Sequence, residues 1–100
     1  MPQYKTGVQN TNMAPELTQH YRTIDDIHRR LVGREAVITS TRDGTHRSDS
    51  LHYEGKAIDL RTYDMPPGRD AEIVRELKSA LGNDFDIVLE YDHIHLEYDP

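Results

Sequence analysis

Two short stretches of this chain concentrate side chains that can bind a metal ion or move a proton. The first, SLHYEGKAID, contains His52 and Asp59, and the second, EYDHIH, contains Glu90, His93 and His95. The chain has no cysteine, so a metal site in it has to use imidazole and carboxylate ligands. Three such ligands around zinc leave a fourth position for water, as in catalytic zinc sites. The sequence therefore raises the possibility of a catalytic zinc site, provided that the fold brings the two stretches together.

The residues that flank these side chains predict that they share one face of a sheet. In the segment KAIDL, Asp59 lies between two aliphatic residues, and in HIHLEY, His93 and His95 alternate with two more. If the aliphatic residues face the core, the polar residues point to the opposite face. Asp59 and His95 then meet if their strands are neighbours, and His52 lies in a loop just before the first strand.

Taken singly, each of these residues has an ordinary structural explanation. His52 could be a surface loop histidine, and Asp59 could pair with Lys56 or Arg61. Two histidines on a polar strand face are common, and Glu90 could be a solvated carboxylate. The combination favours a metal site, because independent patterning arguments place the candidate ligands on one face.

The remaining pattern predicts one α+β domain, with helices packed on one face of a small, mostly antiparallel sheet. Apolar residues recur at helical spacing within two segments, 14–33 and 69–82. His20 and His28 in the first segment are expected at the surface or at the edge of the core. We expect residues 1–14 to form an N-terminal arm and residues 15–100 a single domain. The predicted strands are 35–41, 55–62, 85–91 and 93–98.

Composition disfavours several classes of function. The chain has 18 acidic and 12 basic residues and a net charge of -6, which argues against nucleic-acid binding. No apolar run approaches the roughly 18 residues needed to span a membrane, so no membrane partner is expected. The first residues lack the apolar region of a secretory signal peptide.

The two stretches together resemble a known family. SLHYEGKAIDLRT resembles the Ser-x-His-x-x-Gly-x-Ala-x-Asp motif of the zinc D-Ala-D-Ala carboxypeptidases and dipeptidases, peptidase family M15. Hedgehog signalling domains share that fold and zinc site, and EYDHIH resembles the second family motif, Glu-x-x-His-x-His. The resemblance implies a Zn²⁺ cofactor with His52, Asp59 and His95 as ligands. It also implies that Glu90 is the base that activates the zinc-bound water.

The same resemblance implies roles for four further residues. His93 would stabilise the developing oxyanion or orient Glu90. Arg42 would bind the substrate carboxylate or polarise the scissile carbonyl. His46 would contact the substrate or support the zinc ligands, and Ser50 would hold the ligand loop beside the substrate.

The function implied is hydrolysis of peptidoglycan stem peptides or of D-amino-acid dipeptides. The enzyme would be of the D-Ala-D-Ala carboxypeptidase or the L-Ala-D-Glu endopeptidase type, in a small monomeric protein of bacteriophage type. We expect it in the cytoplasm of the producing cell, or released by lysis or carried on a virion, from where it acts on the cell wall. The alternative is a non-catalytic, zinc-containing, hedgehog-like binding or virion module.

Overall fold

A computed structural model describes residues 2–8, 13–41 and 55–100. The four predicted site residues Arg42, His46, Ser50 and His52 lie outside the described residues. No helix within the described ranges is long and apolar enough to cross a membrane. The helices are α1 (Pro15–Thr18), α2 (Tyr21–Val32) and α3 (Arg69–Leu81), and the strands are β1 (Gln3–Tyr4), β2 (Val37–Ser40), β3 (Ala57–Arg61), β4 (Phe85–Leu89) and β5 (His93–Tyr98).

The strands form one sheet in the order β1-β2-β3-β5-β4. Only the β1–β2 pair is parallel among the described strands, and the other three pairs are antiparallel. The sheet and helices make an α+β domain, so the predicted fold class is confirmed. The predicted division into a 1–14 arm and a 15–100 domain stays a prediction, although Gln3–Tyr4 of that arm joins the sheet as β1.

The apolar core fixes which way each strand faces. The isoleucine and leucine residues of β2, β3 and β5 have no exposed surface, and they form one cluster with apolar residues of α2 and α3. Burying one such side chain stabilises the fold by about 1.5–3 kcal/mol. Slipping a strand by one residue would turn these side chains to solvent, so the register is strongly specified. The fully buried members on the three strands are Ile38, Ile58, Leu60, Ile94 and Leu96.

The predicted first helix is two helices. α1 ends at Thr18 and α2 begins at Tyr21, with Gln19 and His20 in a turn between them. The His20 ring packs edge-on against Phe85 of β4, with ring centroids 5.0 Å apart. The turn therefore brings His20 into contact with β4.

His28 is buried, which corrects the expectation that it lies at the surface or the core edge. Its side chain is fully buried because it lies on the same helical face as Tyr21 and Ile24, which belong to the core. The Nδ1 atom lies 2.8 Å from the Ile24 carbonyl oxygen, to which it donates a hydrogen bond. The burial lowers the pKa of His28, although the hydrogen bond to the Ile24 carbonyl opposes this change.

A buried carboxylate connects α2 to the sheet. Asp25 accepts a hydrogen bond of 2.9 Å from Nε of Arg29 and one of 3.0 Å from the backbone amide of Ala36, just before β2. Burial alone would raise the pKa of Asp25, but these hydrogen bonds outweigh burial and lower it. The charge is thus paired, as a buried carboxylate requires.

Candidate metal centre

The site residues come together on adjacent strands. In the β3–β5 pair, Asp59 lies opposite His95 and Arg61 lies opposite His93. Because Ile58 and Leu60 fill the core, Asp59 projects from the other face of the sheet, which we call the open face. The alternation predicts the shared face and the strand pairing supplies the adjacency, while the roles of these residues as ligands stay a prediction.

His95 lies between two carboxylates. Its Nδ1 atom is 3.2 Å from Oδ1 of Asp59, and its Nε2 atom is 3.0 Å from Oε1 of Glu97. The hydrogen bond with Asp59 raises the pKa of His95; partial burial opposes this change and the contact with Glu97 adds to it. Both ring nitrogens therefore have a defined partner, and the ring has a defined orientation.

The distance between Asp59 and His95 is suited to a shared zinc ion. Ligand atoms about 2.0–2.2 Å from a tetrahedral zinc are about 3.3–3.6 Å from each other. The Asp59 Oδ1 to His95 Nδ1 distance of 3.2 Å lies just below that range. Within residues 2–8, 13–41 and 55–100, no three His, Asp or Glu side chains are arranged to hold a metal ion. The described part thus contains two of the three predicted ligands, and the third, His52, lies outside it.

His93 lies beside this pair. Its Nδ1 atom is 2.8 Å from Oδ1 of Asp92, and its Nε2 atom is 3.7 Å from Oδ1 of Asp59. A neutral ring that donates from Nδ1 to Asp92 has Nε2 as its acceptor nitrogen, and a protonated ring donates from both. Asp92 therefore sets which nitrogen of His93 faces the site.

Glu90 follows β4 at the hairpin. Its backbone amide donates a hydrogen bond of 2.8 Å to the His93 carbonyl, and the residue is exposed. Val88 lies opposite His95 in the β4–β5 pair, so two residues later Glu90 lies opposite His93 on the open face. The backbone thus places the predicted base at the edge of the same surface.

A cleft of about 430 Å³ opens beside the site, and it is partly exposed to solvent. Both acidic residues of this cleft contact histidines, and its two cationic residues come from β3 and from the segment after β1. The cleft is lined by Lys5, Thr39, Asp59, Arg61, Tyr63, Asp92 and His93.

Three residues of this surface were not assigned a role from the sequence. Glu97 continues the alternation of His93 and His95, so its place on the open face was available from the pattern. Arg61 continues the alternation of β3 in the same way, but the sequence indicates it only as an ion-pair partner of Asp59. Asp92 is a hairpin residue, and the pattern held no signal for its contact with His93.

These features define a class of protein. The α+β domain, with an aspartate and two histidines on the open face of its sheet, is consistent with the hedgehog-like fold of the M15 peptidase superfamily. A comparison with protein families matches residues 24–97 to the Hedgehog amino-terminal signalling domain, and the chain belongs to that family. A comparison with curated proteins gave no match.

Proposed function

We propose that this protein is a zinc-dependent peptidase that hydrolyses peptidoglycan stem peptides. The bond cut is of the D-Ala-D-Ala carboxypeptidase type or of the L-Ala-D-Glu endopeptidase type. The observation that carries the proposal is the 3.2 Å approach of Asp59 and His95 on a face that Glu90 borders. A structural zinc site has no need of an acidic residue beside it, whereas a hydrolytic site requires a base.

Zinc would be held by His52, Asp59 and His95. When bound there, zinc would supply polarisation of the scissile carbonyl and would lower the pKa of a water toward about 7. Zinc accepts both carboxylate and imidazole ligands, so this donor set fits the role. The chain contains no cysteine, so it offers zinc no thiolate.

Glu90 would act as the general base and then as the general acid. It accepts a proton from the attacking water and passes it to the leaving amine. Its exposed position beside the hairpin leaves room for water and substrate.

His93 would stabilise the negative charge that develops on the carbonyl oxygen. With Nδ1 bonded to Asp92, a protonated His93 ring can donate a hydrogen bond from Nε2 into the site. Loss of one such donor slows hydrolytic enzymes by about 10²–10³-fold. Arg42, His46 and Ser50 would contribute to substrate binding.

The substrate and setting proposed follow from the motif resemblance. The partner would be a stem peptide or a D-amino-acid dipeptide, bound by a monomer. A bacteriophage protein of this kind would reach the wall after lysis or on a virion. The motifs that carry this proposal are SLHYEGKAID and EYDHIH.

A test of the proposal combines zinc analysis with product analysis on defined muropeptides. We expect the wild-type protein to release products that a chelator abolishes. The Glu90→Gln variant should keep its zinc and lose at least about 10²-fold in rate, the scale of general acid–base catalysis. Glu16→Gln, which removes an exposed carboxylate on α1, should behave as wild type. Full activity of Glu90→Gln would overturn the assigned role.

The family match favours a second candidate. Because residues 24–97 match a signalling domain, the chain could be a zinc-containing module that binds a peptide without cutting it. Wild-type protein with one zinc per chain, measurable peptide binding and no product on any stem peptide would support this function over hydrolysis.

A further inference from the structure

One end of the cleft is cationic, and nothing assigned so far accounts for it. Arg61 and Lys5 line the cleft together with Asp59. Arg61 follows Asp59 by two residues along β3, so the two side chains leave the same face of the strand. Arg61 therefore lies one step along the open face from Asp59, and Lys5 lines the same cleft.

The two acidic residues of the cleft are already engaged by histidines. Asp59 contacts His95 at 3.2 Å, and Asp92 contacts His93 at 2.8 Å. The two cations have no comparable partner. Among the described residues, no carboxylate forms an ion pair with Lys5, and the ion-pair partner of Arg61 is distant. The cleft therefore offers positive charge to a ligand.

Arg61 is held in place without being neutralised. Its guanidinium carbon lies 5.2 Å from the centre of the Tyr63 ring, a cation–π arrangement. Its only ion pair in the described part of the chain is with Asp64 at 4.0 Å, and Asp64 lies closer to Arg34, at 2.6 Å. Nε of Arg61 is buried and has no hydrogen-bond partner among the described residues. The aromatic contact orients the guanidinium group beside the cleft.

We infer that Arg61, assisted by Lys5, binds the free α-carboxylate of the residue that follows the scissile bond. The inference rests on the proposed function. Residues two apart on a strand are separated by about 6.6 Å, and one residue of extended peptide plus a charge-assisted hydrogen bond spans a similar distance. A scissile carbonyl beside Asp59 and His95 thus places the next carboxylate within reach of Arg61.

This assignment names a chemical feature that both proposed bond types share. A D-Ala-D-Ala substrate ends in a free α-carboxylate. A D-glutamate that continues through its γ-carboxyl also keeps a free α-carboxylate after the L-Ala-D-Glu bond. Amidation of that carboxylate removes the charge and leaves the peptide otherwise unchanged, so it isolates the contribution of this subsite.

The experiment measures binding rather than turnover. The full chain carrying Glu90→Gln, supplied with zinc, is titrated with dipeptides and followed by two-dimensional amide NMR. One pair of probes is D-alanyl-D-alanine and D-alanyl-D-alaninamide. The other pair is L-alanyl-D-glutamine, with a free α-carboxylate, and L-alanyl-D-isoglutamine, in which the α-carboxylate is the amide and the γ-carboxylate is free. The second pair keeps the net charge and moves only its position.

We expect the α-carboxylate form of at least one pair to bind about tenfold or more tightly than its α-amide partner, as charge-assisted hydrogen bonds do. The pair that shows the preference identifies the source of the carboxylate. Arg61→Gln should remove the preference, Tyr63→Leu should reduce it, and Arg75→Gln, an exposed arginine on α3, should keep it. If the amide spectrum shows that Arg61→Gln is misfolded, Lys5→Gln is tested in its place. We expect this variant to lose less of the preference for the α-carboxylate form.

Equal binding of both forms, no binding of any probe, or an unchanged preference in folded Arg61→Gln would overturn the subsite. These results are independent of hydrolysis, which is measured separately on the wild-type protein. A carboxylate preference without any hydrolysis would retain the subsite and reject the peptidase. Hydrolysis that proceeds equally on α-carboxylate and α-amide substrates would retain the peptidase and reject the subsite.

Discussion

Glu97 fixes the ring of His95 from the side away from Asp59. Its Oε1 atom lies 3.0 Å from Nε2 of His95, while Nδ1 of the same ring faces Asp59 at 3.2 Å. Histidines that ligate metals usually donate their other ring N–H to a carboxylate or a carbonyl, which fixes the tautomer and the ring orientation. Glu97 therefore presents Nδ1 of His95 as the nitrogen available for a metal.

The first prediction tests this orienting contact. Glu97→Gln keeps the size of the side chain but removes its charge, and it weakens the hold on the His95 ring. We expect zinc affinity to fall by about 10–100-fold, the usual effect of losing such a supporting partner. A competition titration against a chromophoric chelator measures this change, with circular dichroism to verify the fold.

The control for that prediction is Asp86→Asn. Asp86 lies opposite Glu97 in the β4–β5 pair, so it contributes a similar charge to the same face. It is exposed, and no contact with His95 is described for it. Equal weakening in both variants would mean that overall charge, and not the contact with Nε2, determines the affinity.

The sequence predicted the sheet and the placement of its polar residues for a clear physical reason. Strand alternation is a strict two-residue period, and the aliphatic residues around Asp59, His93 and His95 leave those three only one face. The fold class followed from the order of the elements. The alternation left open whether these strands are neighbours, and the β3–β5 pairing shows that they are.

Other features lay beyond what the pattern contains. The contact between Asp92 and His93 depends on the geometry of the hairpin, and the burial of His28 depends on how α2 rotates against the sheet. Ile27 and His28 are neighbours in α2, and both are buried. The arrangement of Arg61 over Tyr63 likewise depends on side-chain conformations that no periodicity encodes.

The second prediction concerns the coupling of metal binding to stability. In a domain of this size, zinc at about one hundred times its dissociation constant should raise the melting temperature by roughly 10 °C or more. Asp59→Ala removes a proposed ligand, so zinc should no longer raise the melting temperature, and zinc content should fall. Calorimetry with added zinc and with a chelator measures both states.

Asp84→Ala is the matched control, because it removes an exposed aspartate just before β4. That variant should keep the full zinc-dependent rise. A rise of wild-type size in Asp59→Ala would show that zinc binds elsewhere, and it would remove Asp59 from the ligand set.

The third prediction concerns the buried imidazole of His28 and the response to acid. Its Nε2 atom is buried without a hydrogen-bond partner among the described residues. Burial lowers the pKa of His28, the Ile24 carbonyl opposes that change, and the charge of Arg34 adds to it. The unfolded chain therefore binds a proton at a pH where the folded chain does not. Stability is complete above the unfolded pKa of about 6.5 and decreases as the pH falls below it toward the lower folded pKa.

Replacing His28 by leucine should remove that acid-dependent loss. The single group changes the free energy of unfolding by at most about 1.4 kcal/mol per pH unit, and this contribution is absent in His28→Leu. At pH 7 the variant should be about as stable as wild type or more stable, because an unpaired buried nitrogen is replaced by apolar atoms. Urea unfolding at several pH values between 7.5 and 5 measures both effects. His20→Gln removes a histidine from the turn before α2 and keeps His28, so it should retain the acid-dependent loss. A slope in His28→Leu as steep as that of wild type would show that other groups cause the loss.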